Sequence, residues 1–263
     1  MSKECDILII DDEQVVVDAV VKICSAEQLT VDSAIDARVA LKKLDKNRYR
    51  LIICDIMMPE LDGFQFLEKL TNVRVDTPVI MTTGYSTVEN AVKSLQIGAV
   101  DFIPKPFTAD ELMSSVHRGL RLAAIPQMLV GSQGDIRVGS IPYVPCPTKY
   151  FRLGGLSWAV LDHAGSALVG ATDLFLKTVE SVGEIELFAL DDEIVQGSSC
   201  AKIKSKDGLV HQMLASVSGR IIERNDLLVA DPTIIERDPY FEGWLYRVIP
   251  SDIDYEFKHL IAC

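Results

Sequence analysis

Short, uninterrupted apolar runs recur through the first half of the chain, and each stops on polar residues. Ile7-Leu8-Ile9-Ile10 stops at Asp11-Asp12-Glu13, Leu51-Ile52-Ile53-Cys54 at Asp55, and Pro78-Val79-Ile80-Met81 at Thr82-Thr83-Gly84. Residues 100–103 run into Pro104-Lys105-Pro106, and residues 30–34 form a further short run. Apolar runs of this length read as strands covered on both faces, the habit of parallel sheets. Between them lie helical patterns: Val16, Val17, Val20, Val21 and Ile23, then residues 36–44, 63–70, 87–97 up to Gly98, and 110 to about 123. Strand and helix alternate five times, which specifies an α/β doubly wound, five-stranded parallel sheet.

The pattern changes after the last helix. Pro126, Gly131, Gly134, Gly139, Pro142, Pro145 and Pro147 crowd a stretch without helical period, with 136–138 and 141–144 as candidate edge strands. Beyond it, short β signals at 156–161, 184–189, 201–206, 209–214 and 219–223 are separated by turns, as in a small mainly-β barrel or sandwich. The expected organisation is a domain over 1–124, a linker over 125–147 and a second domain over 148–263. At 263 residues, two domains of ordinary size fit the length.

Charge narrows the partners. The net charge is -12, with 14 Lys and Arg against 19 Asp and Glu in residues 1–124, and 12 against 19 in the remainder. Neither half offers the basic face that a phosphate backbone needs, so no nucleic-acid partner is expected. No apolar run approaches the roughly 18 residues of a membrane span, and no membrane association is expected. The first residues, Met1-Ser2-Lys3-Glu4-Cys5-Asp6, carry acid where a signal peptide carries base, which predicts a cytoplasmic protein. Six cysteines are scattered without a CxxC pair, and they read as reduced thiols with neither a disulfide framework nor a zinc site.

The candidate chemistry lies where the polar residues fall. Asp11, Asp12, Asp55, Thr83 and Lys105 each follow a strand, so they gather at the carboxyl edge of the sheet, where open α/β folds bind ligands. Converging carboxylates repel and one lysine does not offset three of them, so a hard, oxygen-seeking cation such as Mg²⁺ is expected. One carboxylate can then attack phosphorus while the cation, the lysine and a hydroxyl stabilise the developing charge, which makes the site an aspartyl-phosphate acceptor. The plainer readings are that Asp55 opens the turn completed by Pro59, Asp62 and Gly63, and that Asp12 caps the following helix.

These motifs resemble the receiver domain of two-component response regulators, a flavodoxin-like fold, from Cys5 to about Ala123. The resemblance implies that Asp55 is phosphorylated by a sensor histidine kinase, with Asp55, Thr83 and Lys105 as the catalytic set. It further implies that Asp12, Asp55 and the Met57 carbonyl bind Mg²⁺, with Asp11 helping through water. Thr83 would be the switch hydroxyl and Phe102 the switch aromatic, although Phe102 equally suits plain strand packing. Lys105-Pro106 would be a cis peptide. Homodimerisation through the receiver is compatible with the resemblance, and no enzymatic activity is expected beyond self-catalysed phosphoryl transfer to and from Asp55.

The second half, from about Tyr150, resembles the H protein of the glycine cleavage system, a lipoyl-carrying family. The resemblance rests on Asp162-His163-Ala164, Val217-Ser218-Gly219-Arg220-Ile221 before Asn225, and Asp238-Pro239-Tyr240-Phe241-Glu242-Gly243-Trp244-Leu245. That family presents its modified lysine at the tip of a hairpin, after a glutamate that the modifying enzyme recognises. Here Lys204 stands at the glutamate position and Asp207 or Gly208 at the lysine position, so lipoylation is not expected. Lys206 is adjacent and keeps a shifted lipoyl site open as the alternative. Lys202, Lys204 and Lys206 alternate with Ala201, Ile203 and Ser205, the pattern of a solvated strand face, and Asp207-Gly208 is a turn signal that places Lys206 at the strand end. His163 reads as structural, Trp158 and Trp244 as core, and residues 171–182 as an insertion. The expected output is contact with an unidentified partner protein.

Overall fold

The computed structural model describes residues 4–72, 77–85, 87–129 and 143–263. The chain divides into two compact units, Met1–Ser86 with Ile97–Val138, and Thr87–Gln96 with Gly139–Cys263.

The first half alternates as its apolar pattern requires: β1 Glu4–Ile10, α1 Gln14–Ala26, β2 Val31–Ala34, α2 Ala37–Leu44, β3 Arg48–Asp55, α3 Gly63–Asn72, β4 Val79–Thr83, α4 Val88–Gln96, β5 Asp101–Pro104 and α5 Ala109–Leu129. The five strands are parallel in the order β2-β1-β3-β4-β5. On one face Ile7, Ile9, Leu51, Ile53, Ile80 and Ile103 pack with Val17 and Val20 of α1 and Leu112 and Val116 of α5. Leu8, Ile10, Ile52 and Cys54, which alternate with them, are also fully buried, so neither sheet face is left to solvent. Each such aliphatic side chain contributes roughly 1.5–3 kcal/mol by leaving water.

Local chemistry sets the element ends. Asp36 starts α2 by accepting the Val39 N–H at 2.7 Å, and Gly98, at φ +106°, follows α4. The last helix departs from the expected end near Ala123 and runs through Pro126 to Leu129. Its apolar face continues with the buried Leu120 and Ile125, and that packing carries the helix past a residue that cannot donate a backbone hydrogen bond. Of the candidate edge strands at 136–138 and 141–144, only Tyr143 and Val144 lie among the described residues, and neither is in a strand.

The second unit is antiparallel. Its strands are β6 Phe151–Leu153, β7 Ser157–Leu161, β8 Ala167–Ala171, β9 Val182–Leu187, β10 Glu193–Ile194, β11 Ser199–Ser205, β12 Val210–Leu214, β13 Gly219–Arg224, β14 Trp244–Pro250 and β15 Ile261–Ala262. Short helices α6 Asp173–Thr178, α7 Leu227–Ala230, α8 Thr233–Arg237 and α9 Ile253–Glu256 punctuate them. One sheet has the order β10-β13-β14-β8-β7-β6-β15 and the other β12-β11-β9. Ala159, Val169, Ile185, Ile203, Met213, Ile221 and Val248 share the core.

Trp158 is fully buried, as expected, and its indole N–H donates to the carbonyls of Ala171 at 2.9 Å and Pro239 at 3.1 Å. Trp244 is only half-buried. Tyr240, in a loop that looks exposed in sequence, is buried against Trp158 and Tyr150. The expected insertion forms α6, started by the Thr172 hydroxyl accepting the Phe175 N–H at 3.1 Å.

One buried pair in the first unit has no counterpart in the sequence reading. Arg118 of α5 is paired with Asp101 of β5, and its other donors reach the Ser114 hydroxyl at 3.3 Å and the Ser115 hydroxyl at 3.2 Å. Both charged side chains are less than a tenth exposed. Removing one partner strands the other in a low-dielectric interior, which typically costs about 3–5 kcal/mol. Urea unfolding of Asp101→Ala should therefore show a loss of that order; a loss below about 1 kcal/mol, the range of exposed pairs, would mean that Arg118 finds water.

Candidate functional site

The strand order reverses between β1 and β3, and their carboxyl ends lie level because Ile10 pairs with Cys54. The next residues are Asp11 and Asp55. Both are buried, and Lys105, which follows β5, places its ammonium 2.7 Å from Asp11 Oδ2 and 2.7 Å from Asp55 Oδ1. A cis peptide joins Lys105 to Pro106. The Lys105 N–H donates to the Thr83 carbonyl at 2.7 Å, tying the ends of β4 and β5 together. The Thr83 hydroxyl, itself buried, accepts the Tyr85 N–H at 3.1 Å.

The loop after β3 is held equally closely. The Met57 N–H donates to Asp55 Oδ2 at 2.6 Å, while the Met57 side chain is exposed. The Gly63 N–H returns to the Ile56 carbonyl at 2.9 Å, and a Cβ at Gly63 would stand 2.3 Å from the Asp55 carbonyl oxygen. Glycine is therefore required here by close backbone approach rather than by its torsion angles.

Electrostatics follow from two buried carboxylates sharing one ammonium. Burial raises the Asp11 carboxyl above its usual 3.8; the Lys105 hydrogen bond opposes this without reversing it, and Asp55 adds like-charge repulsion. Burial lowers Lys105, but hydrogen bonds to Asp11 and Asp55 outweigh it and leave the ammonium above 10.5. Asp12 and Glu13 are exposed at the rim, with Glu13 Oε1 3.5 Å from Lys105 Nζ.

The expected convergence of three carboxylates is thus corrected to two. Among the described residues no group of three or more His, Cys, Asp or Glu side chains is placed to hold a metal. Lys105 lies between Asp11 and Asp55, and Asp12 remains in solvent. Nor does Asp12 cap α1: Glu13 occupies the cap position, and its N–H is taken by Asp11 Oδ1 at 3.0 Å. The surplus of negative charge over one ammonium, all on oxygen donors, nevertheless suits a hard divalent cation. Phe102 is buried on β5, beside Met81 of β4.

Residues 7–117 match the family described as the response regulator receiver domain. The first half of the chain is a receiver domain. Residues 150–262 match the family described as the glycine cleavage H-protein. The chain is 33% identical over 132 residues to the transcriptional regulatory protein TcrA of Mycobacterium tuberculosis, a match that spans 50% of this chain and 52% of that one. It thus spans about half the length of that curated relative. It is also similar to the solved receiver domain of NtrX from Brucella abortus, at 38% identity over 44% of this chain and 98% of that one with a TM-score of 0.42. Similarity to the glycine cleavage system H protein of Mycobacterium marinum is 26% identity over 45% of this chain and 93% of that one, with a TM-score of 0.40.

In the stretch that matches the H-protein family, β11 and β12 form the hairpin that carries Lys206. The strand ends at Ser205, one residue before the expected end, because the Gly208 N–H donates to the Ser205 carbonyl at 2.9 Å and Gly208 takes φ +93°. Lys206 and Asp207 are consequently the exposed centre of the turn. Lys202 and Lys204 face solvent, 3.8 Å from Glu186 and 3.9 Å from Glu184 across the strand pair. His163 is exposed in the β7–β8 turn, where Asp162 accepts the Ala164 and Ser166 N–H groups and pairs with Arg247 of β14 at 2.7 Å. That turn is structural.

Two consequences are measurable. Asp11 binds its proton more readily folded than unfolded, so its ionised form opposes folding above the carboxylate range, and Lys105 offsets that cost. In metal-free buffer, Lys105→Met should lower stability near neutral pH, with the deficit shrinking as pH falls and Asp11 protonates. A deficit independent of pH would show that Lys105 acts through packing alone. For Gly63→Ala, the 2.3 Å approach to backbone predicts that the β3–α3 loop shifts, with a stability loss of about 1–3 kcal/mol by thermal unfolding; an unchanged midpoint would refute the close approach.

Proposed function

We propose that this chain is a two-component response regulator, phosphorylated on Asp55 by a sensor histidine kinase. The observation that carries this reading is Lys105 Nζ placed 2.7 Å from both Asp11 and Asp55 at the sheet's switch point. Asp55 is the nucleophile, and its Oδ2 is oriented by the Met57 N–H. Lys105 sits where it can neutralise a phosphoryl oxygen, and Thr83 can turn its hydroxyl toward the same group once it leaves the Tyr85 N–H. Mg²⁺ would be held by Asp11, Asp12, Asp55 and the Met57 carbonyl, and when bound it supplies neutralising charge for the incoming phosphate.

Phosphorylation acts by shifting a population between two states of Thr83 and Phe102, limited in size by how differently the phosphoryl group interacts with each. The receiver face could then pair with a second copy or alter the output. The H-protein domain, without lipoyl attachment, acts through contact with a partner protein. Its acidic balance disfavours nucleic acid, unlike the role named for the transcriptional relatives. The protein is cytoplasmic, and its only catalysis is phosphoryl transfer at Asp55. No helix among the described residues is long and apolar enough to cross a membrane.

A second reading is favoured by one observation. Lys206 is exposed at the centre of the β11–β12 turn, where an attached lipoyl group would be accessible. In that case the chain is a lipoyl carrier gated by the receiver.

Incubation with Mg²⁺ and acetyl phosphate should add one phosphoryl mass to the full chain, mapped to Asp55, and Asp55→Asn should abolish it. Phosphorylation that persists in Asp55→Asn would defeat the proposal. Intact mass after expression with a lipoate source separates the two roles of the second domain: an unmodified Lys206 supports the contact module, and a lipoyl adduct there supports the carrier.

A further inference from the structure

Four of the six cysteines, Cys5, Cys24, Cys54 and Cys200, are buried; the two that are not, Cys146 and Cys263, lie in the same place. Both line a cavity of about 400 Å³ in the second unit, with Tyr143, Arg152, Thr172 and Tyr240 on its walls. Burial raises the Cys146 thiol above its ordinary value, and the neighbouring Cys263 side chain raises it further. Neither residue falls within the stretch 150–262 that matches the H-protein family.

Backbone and side-chain hydrogen bonds hold the two thiols in register. On one side, β15 pairs with β6 through Ala262 and Phe151, and the Cys263 N–H donates to the Tyr150 carbonyl at 3.0 Å. On the other, the segment before Cys146 is pinned at Val144, whose N–H donates to Asp173 Oδ2 at 2.5 Å and whose carbonyl accepts the Tyr240 hydroxyl at 3.0 Å. The Tyr150 N–H donates to the Pro147 carbonyl at 3.1 Å, turning the chain so that Cys146 comes back beside Cys263. The thiols are therefore preorganised, half-accessible and open to a cavity that admits a small oxidant.

We propose that Cys146 and Cys263 are a redox-active dithiol that a peroxide converts to an intramolecular disulfide. Burial and the neighbouring Cys263 side chain raise the Cys146 thiol, opposed only in part by the Arg152 charge, so Cys146 is the poorer nucleophile and Cys263 the attacking sulfur. The Cys263 sulfur attacks one oxygen of hydrogen peroxide; the O–O bond breaks, one water leaves after proton transfer, and Cys263 becomes a sulfenic acid. The Cys146 sulfur then attacks the Cys263 sulfur; the S–O bond breaks, the S–S bond forms and a second water leaves. Two thiols are oxidised, and one peroxide is reduced to two waters. A thiol reductant reverses the change by exchange. The device lies wholly in the second unit and does not depend on the reading of Asp55.

The test treats the reduced full-length protein with a small molar excess of hydrogen peroxide, blocks free thiols with maleimide and maps peptides by mass. The expected result is a chain lighter by two hydrogens, a single Cys146–Cys263 cross-linked peptide, faster migration on a non-reducing denaturing gel and reversal by dithiothreitol. Cys146→Ser should instead leave a Cys263 sulfenic acid that dimedone traps, and Cys263→Ser should leave Cys146 largely unreacted. Independent maleimide labelling of both thiols after peroxide, over-oxidation of either without a cross-link, or a disulfide joining two chains would overturn the proposal. Equal peroxide reactivity of the two single variants would overturn the assigned order of attack.

Discussion

Two buried carboxylates at the end of a sheet require a cation between them, and in this protein Lys105 is that cation. Everything at the edge of the first unit is arranged to bring it there. The strand order places Asp11 and Asp55 level, the backbone bond from Lys105 to Thr83 fixes where β5 ends relative to β4, and Gly63 lets α3 begin against the Asp55 carbonyl. The ammonium balances only part of the charge, so the site is still attractive to further positive charge and receptive to an anion that brings its own cation. A surplus of this kind is a poor choice for stability and a good one for a reactive centre.

The first unit is legible in the sequence because each of its signals is local. A four-residue apolar run, the polar residue that ends it and the helical pattern that follows are each read within a window of ten or so residues, and right-handed crossovers then leave few topologies. What the sequence conceals there is pairing across distance. Asp101 and Arg118 are 17 residues apart on different elements, and Arg118 looks like an ordinary solvated helix residue until α5 is laid on the sheet. Asp12 shows the opposite error. Adjacent acids look equivalent in sequence, but the strand ends at Ile10, and of the pair only Asp11 is buried beside the lysine.

The second unit is harder to read because its strands are short and its contacts are remote. Residues 167–171, Ala-Leu-Val-Gly-Ala, carry little β-propensity of their own, and they form a strand because Gly170 leaves room for the Trp158 ring, which a Cβ there would meet at 2.5 Å. Tyr240 looks exposed between Asp238 and Glu242, yet it is enclosed by Tyr150 and Trp158, which arrive from far away in the chain. The helix at Asp173 was within reach of a sequence argument: Thr172 before an acidic residue and an apolar pair is a helix start. The two accessible cysteines had no such signal, since 117 positions separate them and only the pairing of β6 with β15 makes them neighbours.

Connections between strands and helices usually absorb insertions and deletions freely, because their backbone is solvated and their ends are tolerant. The connection from β3 to α3 is different. Its first residue, Ile56, accepts the Met58 and Gly63 N–H groups, and its neighbour Met57 is bonded to the Asp55 side chain. The segment is closed on itself like a clasp, with a length set by geometry at both ends. Lineages of this protein should therefore vary in the wording of residues 56–62 far more than in their number.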